Sequence, residues 1–462
     1  MTLDPQKEFS EKNHVLCQQI FDGLIRFTPE GKIEPALAVS WERVGDTRMR
    51  FKLRDGVRFH NGEPFDAEAV RFSLERQLDP ETGYPGASFV ESISRAEVID
   101  AHTVDIVTKY PDAVLLNRLA GLVFIVPPEY IKEKGPEYFA QNPVGTGAFV
   151  FKKWHKGSSI QLDPNKEYWL KGFPKVDGLI FRFIPYDKQL KALFSGEVDL
   201  LTDLPGTQTL KVTGNPKLAV LKKPSFYTLP FALNLSSGPL SSLDVRKALN
   251  HAVDKEGLVR YDLMGNGVPI ATLSMAGEIG HNSTLTPYEY DPEKAVKLLA
   301  KAGYPAGFTL DFLVKKNAGR TAKIVASYLK KIGVTLNITL VSDADMIAEF
   351  KRGKYDMFIG SSGDPMGHAC FIQGIVLSSS SPFAWGGDPV FDDMTAKMVA
   401  AINPGESEIL AEKLDKYVYD NAMSIFTYRK ITVYGFDKRL SLRQYVSGVP
   451  YFFSAEFSGR TE

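Results

Sequence analysis

The chain has 462 residues, roughly three times the ~150 of a typical domain, so it has material for two or more lobes with buried cores. Its 55 Lys and Arg balance its 55 Asp and Glu, which excludes a nucleic-acid wrapper or a basic membrane-surface protein, because both need a positive excess. Hydrophobic residues at 44% and charged residues at 24% are globular values, and the longest apolar stretch, Ala120 to Val126, is far short of the ~20 residues that cross a bilayer.

Along the first third, Arg50 to Leu53 and Val57 to His60 read as paired strands about the Asp55-Gly56 turn, and Asp66 N-caps a helix over Ala67 to Gln77. Val104 to Thr108 and Leu122 to Val126 read as strands separated by an apolar helix, Ala113 to Leu119. Gly145-Thr146-Gly147 is a sharp turn before the strand Ala148 to Trp154, which is followed by strands at Ser159 to Asp163 and Asp177 to Ile184. Ser236 to Ser242 is a Ser/Gly/Pro loop marking a lobe boundary. Beyond it, Asp244 caps a helix through Ala252, and Asp291-Pro292 sets an N-cap and N1 proline before an amphipathic helix closed by Gly303. The strand Phe308 to Val314, helix Arg320 to Ile332, strand Thr335 to Val341 and strand Tyr355 to Ile359 read as a βαβ unit in an α/β protein. Leu410, Leu414, Tyr417 and Val418 line one helix face, and Ile425 to Phe436 is a β-rich return.

The residues offer little for covalent chemistry. Neither G-x-x-x-x-G-K-[ST] nor a helix-opening G-x-G-x-x-G occurs, and there is no G-x-S-x-G elbow. Ser361, Asp364 and His368 lie close along the chain, but a triad is defined by spatial roles, so these read as loop polar residues. The seven histidines form no H-x-x-x-H or H-E-x-x-H pattern. His14 with Cys17, and His368 with Cys370, are close enough in pairs to hold a soft metal as an alternative; buried structural roles suit them better, and no metal or other cofactor is expected. Trp41, Trp154 and Trp169 read as core, whereas Trp385, in the Ser378 to Gly387 loop, has little to pack on and is expected to cover a ligand.

From Pro35 to Arg76 the chain reads P-A-L-A-V-S-W-E and then F-K-L-R-D-G-V-R-F-H-N-G-E-P-F-D-A-E-A-V. Leu3-Asp4-Pro5, Ile20 to Leu24, P-V-G-T-G-A-F at Pro143 to Phe149, N-K-E-Y-W at Asn165 to Trp169, G-E-V-D-L at Gly196 to Leu200, D-V-R-K-A-L-N-H-A-V-D at Asp244 to Asp254 and Asp291 to Tyr304 follow in order. Together these segments resemble the extracytoplasmic solute-binding proteins that serve peptide and nickel ABC importers. The resemblance implies a periplasmic-binding-protein-like two-lobed (type II) fold with an additional inserted domain. On that pattern lobe I comprises residues 1–34, 160–237 and 430–462, the inserted domain 35–159, and lobe II 238–429. It implies a monomeric, non-enzymatic receptor outside the cytoplasmic membrane that captures a short peptide between its lobes and delivers it to ABC permease transmembrane subunits. A nickel chelate is the alternative ligand, and a hydrolase using Ser361 or Asp364 the reading from another class. Family members place a strand before the Leu-Asp-Pro segment, where this sequence has only Met1 and Thr2, so the start is expected to be trimmed beyond a signal peptide.

The resemblance also implies site residues. Gly360-Ser361-Ser362-Gly363-Asp364 matches the family's G-W-x-G-D, so Asp364 takes the amine-clamp position, with Ser361 in the place of the usual Trp. Arg320, early in the helix after Val314, takes the carboxylate-partner position. Tyr84 and Phe89 lie where the family supplies an aromatic wall, Asn234 ends the strand nearest the hinge, and His14 occupies the place of a pocket-lining Met in nickel-chelate binders. The arginine of those binders is replaced by Val123.

Overall fold

In the computed structural model, which describes residues 2–459 apart from 343, 344, 361, 382 and 386, the chain forms two units. The first runs to Leu204, takes in Gln208–Lys223 and resumes at Val433; the second comprises Pro205–Thr207 and Pro224–Thr432. The strands Leu218–Thr228 and Tyr428–Asp437 each run through one of these boundaries.

In the first unit, an antiparallel sheet takes the order Ala38–Gly45, Arg48–Leu53, Thr103–Thr108, Ile93–Asp100. The helix Ala67–Leu78 lies beside it, and Asp66 caps that helix by accepting the Ala69 N–H at 3.0 Å. A second sheet, Phe149–His155, Ser159–Pro164 and Leu179–Arg182, shares a core with the helix Glu11–Ile20 and the chain's end, through Leu16, Ile20, Phe149, Ile160, Leu162, Phe452 and Phe453. The same region buries Asp22, which accepts hydrogen bonds from Tyr451 (2.9 Å), Tyr168 (3.2 Å), Thr146 (3.1 Å) and Trp169 (2.8 Å). Four donors on one carboxylate join segments far apart in sequence, and they satisfy a charge whose burial would otherwise be costly.

The second unit is organised by a sheet in the order Val334–Val341, Phe308–Lys315, Met357–Ile359, Phe231–Leu233, Ser424–Ile425. Its first three strands are parallel, and the helix Gly319–Lys330 joins the first pair as the βαβ reading requires. Phe312, Val314, Ala322, Val325 and Leu329 fill the space between that helix and the sheet. Asp291 accepts the Lys294 N–H at 2.8 Å to cap Pro292–Lys301, and Gly303 follows with φ +91°, a left-handed position suited to glycine.

Several sequence expectations differ from the structure. Val57 to His60 forms no strand: the Phe59 N–H donates to Glu63 and the His60 N–H to Gly145, so the alternating pattern is used in a loop. Arg48–Leu53 pairs instead with its neighbours in the four-stranded sheet. Leu122 to Val126 is an extended linker whose Ile125 and Val126 N–H groups donate to Asp22 and the Ser73 hydroxyl, and the helix before it is Leu115–Leu122, beyond the Ala113 to Leu119 expected. Ser242, not Asp244, occupies the N-cap of Leu243–Ala252. Trp154 and Trp169 do pack against the core of the first unit, half-buried, with Trp169 fixed by Asp22, and Trp41, also half-buried, lies 6.4 Å from the Phe51 ring. The second unit starts its main segment at Pro224, and residues 35–159 fall in the first unit.

Candidate functional site

Polar chemistry gathers in the second unit beyond the carboxyl ends of its parallel strands. The neighbours of Phe308–Lys315 lie on either side of it, so the order reverses there, and open α/β sheets bind ligands in such a crevice. The strand Met357–Ile359 leads into Ser362–Gly363, whose residues pair with Tyr227 and Thr228, and the Asp364 N–H then donates to the Phe226 carbonyl at 2.7 Å. Asp364 is 1% exposed. Its Oδ1 accepts the Met366 N–H at 2.6 Å and its Oδ2 the His368 N–H at 2.7 Å, which fixes the carboxyl group on a tight loop.

A second loop is stitched to the first. The Ile279 N–H donates to Gly367 and the Ala369 N–H returns to Ile279, both at 3.0 Å, so Glu278 is brought against Asp364. Gly277 precedes it with φ +99° over the Phe226 ring. Glu278 Oε2 accepts the Met275 N–H at 2.6 Å, Oε1 is buried and receives no donor, and the Glu278 side chain lies within hydrogen-bonding reach of Asp364. Burial pushes Asp364 up from 3.8 to about 7, against the pull of its backbone donors. Burial and the neighbouring Asp364 carboxyl push Glu278 well above the usual carboxylate range.

The positive partner of this acid pair is Arg429, on Tyr428–Asp437. Its Nε donates to Ser225 (2.8 Å), Nη1 to Ala276 (2.6 Å) and Nη2 to Pro224 (3.2 Å), and its guanidinium lies 5.4 Å from the Phe226 ring centroid. Behind the Glu278 loop, Ser274 donates to Asp415 at 2.8 Å and meets His281 Nδ1 at 2.9 Å. Asp415 also takes Gln373 at 2.9 Å, and burial lifts its pKa to about 6. This serine, histidine and aspartate do not form a hydrolytic triad, because the aspartate is bound to the serine and not to the histidine.

Of the residues expected from sequence, Asp364 and His368 fall in this cluster, with Cys370 next to them; His368 Nδ1 accepts the Cys370 N–H at 3.2 Å. Ser361 lies outside the described residues. Arg320 is 64% exposed, donates to the Tyr261 carbonyl at 2.6 Å and pairs with Asp262 at 3.3 Å, so its partners are not those of Asp364. Asn234 is turned into its own loop, accepting from the Ser236 N–H and hydroxyl. Trp385 does have a packing surface, which overturns the reason for singling it out: Phe350 lies 5.0 Å and Phe358 5.8 Å away between ring centroids. It also lines a small hollow with Leu233, Leu235, Val376 and Leu377.

Tyr84, Phe89 and His14 belong to the first unit. Phe9 lies between Tyr84 (6.1 Å, edge-on) and Phe89 (5.8 Å). His14 lies 5.3 Å from Phe124, and burial pulls its pKa down to about 4. Cys17 donates to Asn13 Oδ1 at 3.2 Å, and burial pushes its thiol well up. Among the described residues no three His, Cys, Asp or Glu side chains gather as metal ligands, and the His14/Cys17 and His368/Cys370 pairs fall in different units. Glu278 and Arg429 were missed from sequence; the only signal was an acidic residue flanked by glycines in A-G-E-I-G and a lone arginine in an apolar strand.

Comparison with known proteins fits this architecture. Residues 32–381 match the model for the middle region of the bacterial extracellular solute-binding proteins, family 5. Heme-binding protein A of Haemophilus influenzae is 30% identical over 441 residues, covering 88% of this chain and 80% of that protein. The glutathione-binding protein GsiB of Pectobacterium atrosepticum is 29% identical over 354 residues, covering 75% and 68%. The ABC transporter-associated periplasmic binding protein DppA from Helicobacter pylori, in complex with the peptide STSA, superposes with a TM-score of 0.87 at 25% identity over 99% of this chain and 96% of that one. The chain belongs to family 5 of the bacterial extracellular solute-binding proteins, the substrate-binding receptors of ABC importers, and has their mixed α/β two-lobed fold.

Proposed function

We propose that this receptor captures short peptides through their free α-ammonium, with Asp364 as the anchor, and works outside the cytoplasmic membrane as a monomer delivering them to permease subunits. The observation that carries the reading is Asp364 itself: a buried carboxyl at the carboxyl end of a parallel strand, fixed by two backbone donors, with lone pairs left for a cation. The relatives that bind glutathione and the peptide STSA support a peptide ligand. Burial of 35–159 with the first unit is compatible with an inserted domain there. Arg320 remains the proposed carboxylate partner; its side chain is exposed, and a ligand carboxylate would displace its contacts with Asp262 and the Tyr261 carbonyl.

The test is calorimetric titration of Ser-Thr-Ser-Ala, Ala-Ala and glutathione, each against its N-acetylated form. Truncating one partner of a buried charge pair costs ~2 to 5 kcal/mol, so Asp364→Ala should weaken a free-amine peptide by roughly thirtyfold or more. The acetylated peptides should bind both proteins about equally poorly. Additive losses from the mutation and the acetylation, with no coupling, would remove Asp364 from the site.

A further inference from the structure

Asp364 does not stand alone. Glu278, 6% exposed, faces it across stitched loops, and Glu278 Oε1 is a buried oxygen with no donor of its own. Two carboxylates cannot both ionise in such a place, so one proton is held between them. The charged group set against the pair is Arg429, from its strand; His281, on the Glu278 loop, meets the Ser274 hydroxyl, and His368, on the Asp364 loop, reaches Asp364 through its backbone N–H. Asp415 reaches the Glu278 loop through Ser274 and the Asn282 N–H. The singly protonated pair and Arg429 sum to zero. Adding an ammonium makes the sum positive unless the shared proton leaves, and with the proton gone it is again zero.

We propose that Glu278 is a second carboxyl of the ammonium site and sets its selectivity, because capture of a cationic amine expels the proton Glu278 shares with Asp364 to the solvent, about one proton per ligand. The inference rests on the reading of Asp364 as the amine anchor. A neutral ligand of the same shape brings no charge to replace the proton and leaves the pair as it was. The elevated values of both carboxyls keep that proton in place near neutral pH, where it is available for exchange.

The experiment is titration calorimetry of Ser-Thr-Ser-Ala, Ala-Ala and glutathione at pH 7.0 in phosphate, HEPES and Tris. The slope of binding enthalpy against buffer ionisation enthalpy counts protons. Wild type should release about one per peptide, and Glu278→Gln close to none while still binding. A second measurement needs no variant: wild-type affinity should be higher at pH 7.5 than at pH 5.5, since a proton is a product of binding. Peptide binding without proton release, or full release retained in Glu278→Gln, overturns the role of Glu278 and leaves the anchor standing. Failure of all three peptides to bind wild type overturns the peptide reading first, and this proposal with it.

Discussion

A protein that keeps a carboxylic acid protonated in its interior at neutral pH gives up stability to do so, and Glu278→Gln should recover it. In the unfolded chain Glu278 ionises near its ordinary value of 4.5, while burial and Asp364 hold its proton in the folded chain well above that. The folded state therefore binds the proton more tightly, and its stability falls as pH rises from the unfolded value towards the folded one. Each pH unit in that window costs about 1.4 kcal/mol. Glutamine copies the protonated acid: its Oε1 can accept the Met275 N–H, and its Nε2 can donate to Asp364. For a unit of this size each 1 kcal/mol recovered raises Tm by roughly 2 to 4 °C. Differential scanning calorimetry of the ligand-free proteins from pH 4.5 to 8 reads the effect. The variant should match wild type near pH 4.5 and exceed it increasingly above. A difference that does not change with pH, or a variant less stable than wild type at pH 7.5, refutes the reasoning.

Asp22→Ala should destabilise the protein by about 3 to 5 kcal/mol, because it strands the hydroxyls of Tyr168, Tyr451 and Thr146 and the Trp169 indole N–H. Urea denaturation measures this, and a loss under about 1 kcal/mol would show that those donors find other partners. Cys17, 1% exposed with a raised thiol pKa, should react with an aromatic disulfide reagent only after denaturation. Native labelling at Cys17 as fast as at Cys370 would contradict its burial.

What the sequence made legible followed from local physics. The Asp66 and Asp291-Pro292 caps, Gly303 and the apolar runs of the βαβ unit each signal their structure within a few residues, and all form as expected. The failures share a cause in distant partners. Val57 to His60 has the alternation of a strand, but its N–H groups are satisfied by Glu63 and by Gly145, so no ladder forms. Trp385 read as unsupported because Phe350 and Phe358 come from other elements. Asp364 could be placed by its match to a family motif, but the residues that set its chemistry could not. Glu278 reaches it through hydrogen bonds between two loops, and Arg429 arrives on the returning strand.

If Asp364 and Glu278 hold the ligand's ammonium as proposed, the cluster would combine tolerance of peptide sequence with discrimination by charge. The backbone donors on Asp364 and the carbonyls around Arg429 are fixed by the fold, so little reorganisation is needed when a cation arrives. Without a cation, the protonated pair is the low-energy state, and a neutral ligand gains nothing from the second carboxyl. With one, the same two groups become a dianion balanced by the ammonium and Arg429. Because that switch depends on net charge at one terminus and not on side-chain shape, it selects for a free amine while leaving the rest of the ligand unread. The free energy given up to hold the acid pair in the empty receptor is then regained as preference for a charged ligand, so stability lost at neutral pH and selectivity for ammonium are two readings of the same buried proton.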